Sequence, residues 1–519
     1  MEATSSVWGS TDISGLAKTA QYNEVMVRLP RTVYTEAQVR ALDRFAIERA
    51  NIPSYTLMTR AGEGALRILR SCWPAAERVL VLCGPGNNGG DGYVLARAAL
   101  DQRLSVIVAA LTDPATLQGD AQRACADYQA AGGVIESWSE ALLRDVDVVV
   151  DAIFGVGLRR VIEGEMAACI RALNASNVHV LSLDIPSGLA ADTGHILGEA
   201  VRAERTITFL GLKLGFYLGD GPNCTGAVMC DSLDVPEDAF AAVQPAAFRI
   251  DEEILARTLP RRSRTTHKGQ QGHVLLIGGG PGMAGAARLA GEAALRVGSG
   301  LVTVATCPEN TAAITAGRPE LICRGVTRAE ELRPLMERAD VVAIGPGLGQ
   351  DDWSRAMAVG VRECDKPMLL DADALNLLAQ SPRTHANWIL TPHPGEAGRL
   401  IGANAAVVQA DRLSAARKIV ERFGGVVVLK GAGTLVVDAE SPPYICDRGN
   451  PGMASPGMGD VLTGVISGVL AQGAPLADAA RTGVLVHAMA GDMAAHRGER
   501  GIVASDLFNY LPTCVNPIR

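Results

Sequence analysis

Arg78-Val-Leu-Val-Leu-Cys83-Gly-Pro-Gly86-Asn87-Asn88-Gly89-Gly90-Asp91-Gly92-Tyr93-Val-Leu-Ala-Arg-Ala-Ala-Leu100 is the segment from which the fold can be read. Its first six residues form a short apolar run of the kind found in a strand buried on both faces. Residues 93–100 read as a helix. Between them the glycines imply a tight turn and close backbone approach to a ligand. The new helix N-terminus offers free N–H groups to an anion. A plain phosphate loop needs only small residues there. This one adds two amides, Asn87 and Asn88, and a carboxylate, Asp91.

The same strand–turn–helix unit recurs along the chain, the signature of parallel sheets covered by helices on both faces. In the first half the strand candidates are 78–83, 104–111, 146–151, 178–184 and 205–210, preceded by a helix at 35–50. Residues 235–255, with prolines and acidic residues, read as a linker. A second series follows at 273–277, 301–305, 340–344, 367–370, 388–390 and 426–429, then a long apolar helix over 460–471. No internal repeat relates the halves. The expected architecture is α/β, with two three-layer α/β domains. A loose extension, rich in Ser, Thr, Ala and Gly, is expected over residues 1–28. A Rossmann-like domain is expected over 29–240 and a second domain over 250–519.

Composition narrows the function class. The 519 residues exceed the roughly 150 expected of one domain. A net charge of −8 leaves no broad basic surface for nucleic acid. The one basic cluster, Arg261 to Lys268, reads as a solvated linker or a local phosphate contact. Eleven cysteines without a C-x-x-C pair argue against a disulfide framework or structural zinc. There is no basic-then-apolar signal pattern and no apolar run of the ~18 residues a membrane span needs. The expectation is a cytoplasmic protein without membrane or nucleic-acid partners. Apolar, glycine-rich α/β chains often self-associate, so a homo-oligomer is expected.

In open α/β sheets, ligands bind beyond the carboxyl ends of the strands. Three strands of the first half end in polar residues there: the Asn87–Gly92 stretch, Asp151-Ala-Ile-Phe-Gly155-Val-Gly157, and Asp184-Ile-Pro-Ser187-Gly188. A buried carboxylate needs a cation or hydrogen-bond donors. One aspartate at a strand tip is often only a helix cap; two beside the Asn-Asn-Gly-Gly-Asp stretch suggest a site. A competing reading is a Rossmann NAD site, since Gly84-x-Gly86-x-x-Gly89 fits that pattern and Asp113 follows at a suitable distance. It leaves Asn88, Asp91, Asp151 and Asp184 without roles.

In the second half, Gly449-Asn-Pro-Gly452-Met-Ala-Ser-Pro-Gly457-Met-Gly459-Asp460 runs into the apolar helix. Free N–H groups at its start could hold a phosphate. Asp460 could take the proton of a hydroxyl attacking phosphorus, or simply cap the helix. Lys430-Gly431-Ala432-Gly433-Thr434 ends another strand and suits nucleotide phosphates. His393 lies between two prolines at a strand tip; a lone histidine there is commonly structural. Asp371 and Asp373 read either as magnesium contacts or, slightly better, as helix caps.

Residues 35–235 resemble the epimerase domain of the NAD(P)H-hydrate repair enzymes, through Asn87–Gly92, Asp151–Gly157 and Asp184–Gly188. Residues 255–515 resemble the ribokinase-like dehydratase domain of the same family. The matches there are Thr266–Gly269, Gly278–Ala286, Gly345–Gly349, Asp371–Asn376, Thr391–Glu396, Lys430–Thr434 and Gly459-Asp460. The resemblance implies that R and S forms of hydrated NADH and NADPH (NADHX and NADPHX) are interconverted, and that the S form is dehydrated at the expense of ADP or ATP. It implies K+ on Asn88, Asp151 and Ser187, and Mg2+ with the nucleotide. It places the hydrate against Asn87, Asn88, Gly89, Gly90, Asp91, and Gly155, Val156, Gly157, Leu158, Arg159, Arg160 and Val161, with Asp184 as acid/base. In the second domain it places the hydrate near Ala286, Gly349, His393 and Asp460, with Asp460 as base. It assigns the nucleotide to Lys430, Gly431, Ala432, Gly433, Thr434 and Gly459. Met458 stands where many members carry Thr or Ser, which leaves the choice between ADP and ATP open.

Overall fold

A computed structural model describes residues 29–516; the expected extension over 1–28 lies outside the described residues. The first half forms a seven-stranded sheet whose neighbouring strands are all parallel. Its order is Val134–Ser137, Ser105–Ala110, Arg78–Cys83, Val148–Ala152, His179–Leu183, Arg205–Phe209, Ala227–Asp231. From Arg78–Cys83 the chain first builds outward on one side, then returns to lay Val148–Ala152 on the other. That reversal opens a crevice at the carboxyl ends of these two strands. Successive residues face opposite layers, as the period of two requires. Val79 and Val81 pack with Leu66, Tyr93 and Val94. Leu80 and Leu82 pack with Ile170 and Leu173.

The helix after the first strand spans Asn87–Asp101, with Gly86 as its N-cap, so the Asn-Asn-Gly-Gly-Asp stretch is helical and not the expected loop. Its glycines do not have positive φ. They are needed for closeness. A Cβ on Gly89 would lie 2.2 Å from the Gly84 carbonyl oxygen, and one on Gly92 would lie 2.6 Å from the Ala152 Cβ. The helix start is thereby pressed onto the strand tips, which aims its free N–H groups and side chains into the crevice.

The second half builds a twelve-stranded sheet. Seven parallel strands come first: Ile322–Gly325, Leu301–Thr306, His273–Ile277, Val341–Ile344, Met368–Leu370, Trp388–Leu390 and Val426–Leu429. The order reverses between His273–Ile277 and Val341–Ile344, giving a second crevice. The turns beyond these two strands are knitted together, Gly279 N donating to Pro346 O (3.0 Å) and Gly280 N to Gly347 O (2.7 Å). The helix Met458–Ala471 is buried nearly all round, against Val274 and Leu276 on one side and the helix Leu476–Ala494 on the other. That accounts for its lack of a polar face.

Two features depart from the sequence reading. Lys430–Thr434 ends the strand Val426–Leu429 as expected, but it turns the chain into an antiparallel hairpin with Thr434–Val437, a strand the sequence reading did not include. The segment 235–255 is structured, with helix Glu237–Ala242 and strand Ala247–Arg249. That strand extends the second sheet beyond Tyr444–Cys446, pairs with Thr32–Tyr34, and Thr32–Tyr34 pairs in turn with Leu212–Lys213. First-half residues therefore complete the second sheet. They also support the hairpin turn: a Cβ on Gly433 would lie 1.9 Å from the Tyr217 carbonyl oxygen. The sequence could not reveal these pairings, because strands of two or three residues carry no measurable period.

Close approach at Gly89 has a direct test. Gly89→Ala forces a methyl into the Gly84 carbonyl, and overpacking of this kind costs about 1–3 kcal/mol. Denaturant unfolding should register that loss; a variant as stable as the parent would show that the strand tip yields freely.

Candidate active sites

The first crevice is a cleft of about 700 Å³. Asn87, Asn88, Asp91, Gly155 to Arg160 and Asp184 line it, together with Arg40, Asp43 and Asp120, which the sequence did not single out. Gly89, Gly90 and Val161 are not in its lining. Gly89 and Gly90 are buried beneath it, and Val161 is exposed. Asp113, which the dinucleotide reading required, caps a turn by accepting from Ala115 N at 3.0 Å and does not line the cleft.

Asp151 is fully buried and carries a complete set of donors. Ser182 Oγ (2.7 Å) and Ser187 N (2.9 Å) donate to Oδ2, and Ser187 Oγ (2.5 Å) and Ile153 N (3.3 Å) donate to Oδ1. Burial pushes its carboxyl above the usual range, and the hydrogen bonds from Ser187 and Ser182 work against that shift. Asn88 is only 7% exposed, yet among the described residues neither its Oδ1 nor its Nδ2 has a hydrogen-bond partner. Leaving such an amide unpaired costs on the order of 1–3 kcal/mol. An orphaned carbonyl oxygen, a buried carboxylate and a serine hydroxyl are the donor chemistry of a hard cation.

Asp184 ends its strand in left-handed backbone, φ 65°, a conformation uncommon outside glycine that aspartate tolerates better than most side chains. Its N–H donates to Ile207 O at 2.7 Å. Its Oδ2 accepts from Val156 N at 3.2 Å and its Oδ1 from Lys213 Nζ at 2.5 Å. Lys213 is fully buried, and its ammonium also donates to Thr208 Oγ1 (2.7 Å) and Phe209 O (2.9 Å). Sequence reading passed over this lysine. The available signal was a lone Lys in the apolar run 206–218, which must find an acid if the run is buried. Burial, then Asp184 and Asp43, push the Asp91 carboxyl well above the usual carboxylate range. At the rim, Arg159 and Arg40 share Glu36, at 3.3 and 2.9 Å, and Arg160 is exposed.

The second crevice is organised around Asp371, which is 1% exposed. It occupies the N-cap position of helix Ala372–Gln380 but makes no capping hydrogen bond with its side chain. The capping preference stated for it is thus incorrect. Its carboxylate accepts instead from Lys430 Nζ (2.7 Å), Thr391 Oγ1 (2.8 Å) and Thr463 Oγ1 (2.7 Å). Asp373 holds a neighbouring turn by accepting from Gly349 N at 3.1 Å and Gln350 Nε2 at 2.9 Å. Across from them, Gly457 in left-handed backbone caps helix Met458–Ala471, so Asp460 sits in its first turn and is not its cap. Gly459 lies over the ion pair: a Cβ there would be 3.5 Å from Lys430 Nζ. Burial, reinforced by the charge of Asp371 and opposed by Lys430, raises the Asp460 carboxyl to about 7. That places a base near neutrality beside free helix N–H groups.

His393 performs the structural task suspected of it. It is the N-cap of helix Pro394–Ile401, its Nδ1 accepting from Gly395 N (2.9 Å) and Glu396 N (3.4 Å). The ring nevertheless remains half-exposed on the Lys430 side, where Glu396 reaches both His393 Nε2 (3.3 Å) and Lys430 Nζ (3.8 Å). Ala286 packs against Gly347, one of the turns of the crevice. In the hairpin turn, Thr434 Oγ1 donates to Gly431 O at 2.8 Å, and Ala432 is exposed. Buried Arg412, also missed in the sequence, staples the turn from beneath by donating to Leu429 O, Lys430 O and Gly433 O.

A known family matches each half of the chain. Residues 54–215 match the family described as YjeF-related protein N-terminus, and residues 274–513 the family described as NAD(P)H-hydrate dehydratase. The chain is 46% identical to the bifunctional NAD(P)H-hydrate repair enzyme of Coxiella burnetii, over 93% of this chain and 99% of that one. It is 44% identical to the Escherichia coli enzyme of the same description, over 95% of each. Among solved structures, the ADP/ATP-dependent NAD(P)H-hydrate dehydratase of Bacillus subtilis, co-crystallized with ATP/Mg2+, is 30% identical with a TM-score of 0.47, covering 52% of this chain and 97% of that one. With relatives aligned over almost their whole length, the chain belongs to the family of bifunctional NAD(P)H-hydrate repair enzymes.

Proposed function

We propose that the chain returns both epimers of hydrated NADH and NADPH to the working cofactor, interconverting R and S forms in the first crevice and dehydrating the S form in the second. The observation that carries this reading is Asp460, a carboxyl raised to about 7 beside a helix N-terminus with no side-chain cap and the Lys430–Asp371 pair. The domains proposed are 29–240 for epimerisation and 250–519 for dehydration.

In the second crevice Asp460 takes the proton of the hydroxyl on ring carbon 6 as that oxygen attacks the terminal phosphorus of ATP or ADP; the bridging P–O bond breaks and ADP or AMP leaves with its electron pair, a charge that Mg2+ on the nucleotide would offset. Lys430 and the N–H groups at Gly459 and Asp460 face the charge that develops on the phosphoryl oxygens. The Lys430–Thr434 turn and Gly459 hold the nucleotide, and Ala286, Gly349 and His393 border the hydrate. Phosphate then departs with the carbon–oxygen electron pair, carbon 5 loses a proton, and the ring double bond is restored. Phosphate is a far better leaving group than hydroxide, which is why a nucleotide is consumed.

In the first crevice the Asp184 carboxyl gives a proton to the departing hydroxyl, and the ring nitrogen stabilises the iminium that remains. Water adds to the opposite face and returns its proton to Asp184. Asn87 to Asp91 and Gly155 to Val161 enclose the dinucleotide, with Arg159 and Arg160 offered to its phosphates. Asn88 Oδ1, Asp151 and Ser187 are the residues that would hold K+. The ion would supply the positive charge that the buried Asp151 and the orphaned Asn88 oxygen lack.

The test mixes the protein with both epimers, K+ and Mg2+, with and without ADP or ATP, following recovery of reduced-nicotinamide absorbance and separating the epimers by chromatography. Nucleotide-dependent recovery of both epimers is expected. Accumulation of a stable phosphorylated product would instead mark the second half as a small-molecule kinase. Asp184→Asn should strand the R epimer while leaving dehydration of the S epimer intact. Replacing K+ with a quaternary ammonium ion should do the same; epimerisation that persists without K+ would remove the ion from the site. Dehydration should rise with pH through about 7, because Asp460 accepts a proton only when ionised, and fall about tenfold per unit well below it. Asp371→Asn removes the charge that raises Asp460, so the limb should move to lower pH in that variant; an unmoved limb would show that another group titrates.

A further inference from the structure

Lys213 is assigned no part in the activity described so far, yet it is the one cation in direct contact with Asp184 among the described residues. All three ammonium protons are placed: on Asp184 Oδ1 (2.5 Å), Thr208 Oγ1 (2.7 Å) and Phe209 O (2.9 Å). With no exposure to solvent, the lysine has no freedom to look elsewhere. Its backbone is fixed as well. Leu212–Lys213 pairs with Val33–Tyr34 at the edge of the twelve-stranded sheet, so the ammonium is held from a different sheet from the one that carries Asp184. Asp184, for its part, stands in left-handed backbone, and among the described residues its other oxygen accepts only from Val156 N, so the lysine is the contact that fixes the direction of its carboxylate.

The geometry points to Lys213 as the positioning residue of the epimerase site: it clamps Oδ1 of Asp184, so that Oδ2 alone is presented to the substrate hydroxyl. This rests on the epimerase reading above. A clamp of this kind acts on the reacting geometry, and a misplacement of about 1 Å is enough to lower turnover by about 10²-fold. It leaves hydrate binding, which other residues provide, largely alone. The effect should therefore fall on kcat and not on KM.

The bifunctional chain supplies its own control, because dehydration of the S epimer occurs in the other half. Lys213→Met and Lys213→Gln are compared with Asp184→Asn and with the double variant Asp184→Asn/Lys213→Met. Epimerisation is read by chromatography of the two hydrates and folding by dehydration of the S form. Each Lys213 variant should lose about 10²-fold in the kcat of epimerisation, with KM and dehydration within about twofold. The double variant should be no slower than Asp184→Asn, because the lysine acts only through that carboxylate. Epimerisation at the parent rate in Lys213→Met, or losses that multiply in the double variant, would overturn the assignment. Should both activities fall together in Lys213→Met, Lys213→Arg decides. Epimerisation restored to within tenfold supports the clamp, and epimerisation still lost with dehydration intact overturns it. A parent protein that does not epimerise at all would remove the epimerase reading itself, a separate outcome.

Discussion

Each crevice depends on a lysine and an aspartate that meet away from water: Lys213 with Asp184 in the first, Lys430 with Asp371 in the second. Neither pair is a device for stability. Desolvating two charges costs about what their attraction returns, while removing one partner leaves a buried charge and costs about 3–5 kcal/mol. What such pairs provide is placement. In the first crevice the pair fixes the carboxylate proposed for proton transfer. In the second it stands behind Asp460: burial raises that carboxyl, the charge of Asp371 adds to the rise, and Lys430 is left facing the helix N-terminus where phosphoryl charge would collect.

Both pairs stand at carboxyl ends of sheet strands because only there can side chains from several elements converge without disturbing a core. The supporting contacts are of the same type in both places. Ser182 and Ser187 satisfy Asp151, and Thr391 and Thr463 satisfy Asp371. The two halves are not independent units joined by a tether. The strand carrying Lys213 borders the second sheet, and Tyr217, four residues on, supports Gly433 of the hairpin turn. One short segment thus reaches from the Asp184 carboxylate to the turn that carries the nucleotide in the proposed mechanism.

Much of this was legible in the sequence where local chemistry decides it. The strands at 78–83, 273–277, 388–390 and 426–429 lie where the apolar runs placed them, since a central strand buried on both faces leaves an unbroken signal. Convergence of Asn88, Asp91 and Asp184 on one cleft followed from three strand ends with polar tips. What escaped was set by tertiary structure. Lys213 and Arg412 were not singled out, because the partners that make them important, Asp184 and the carbonyls of the hairpin turn, are brought to them only by the fold. Asp371 carried the local signature of a helix cap, but Lys430 is 59 positions away and competes successfully for its carboxylate. The glycines of 89–92 were legible as necessary, though for close packing against Gly84 and Ala152 and not for turning the chain.

The central claim is that one chain removes the same hydroxyl by two routes, exchanging it with water in the first crevice and passing it to phosphate in the second. The most direct test follows that oxygen. Hydrates labelled with heavy oxygen at carbon 6 are incubated with nucleotide, and the phosphate released is analysed by mass spectrometry, with Asp184→Asn used for the S epimer to suppress exchange. The account predicts labelled phosphate from the S epimer and largely unlabelled phosphate from the R epimer processed by the parent protein, its label having passed to water. Unlabelled phosphate from the S epimer would mean that the hydroxyl is never phosphorylated, and would contradict the account.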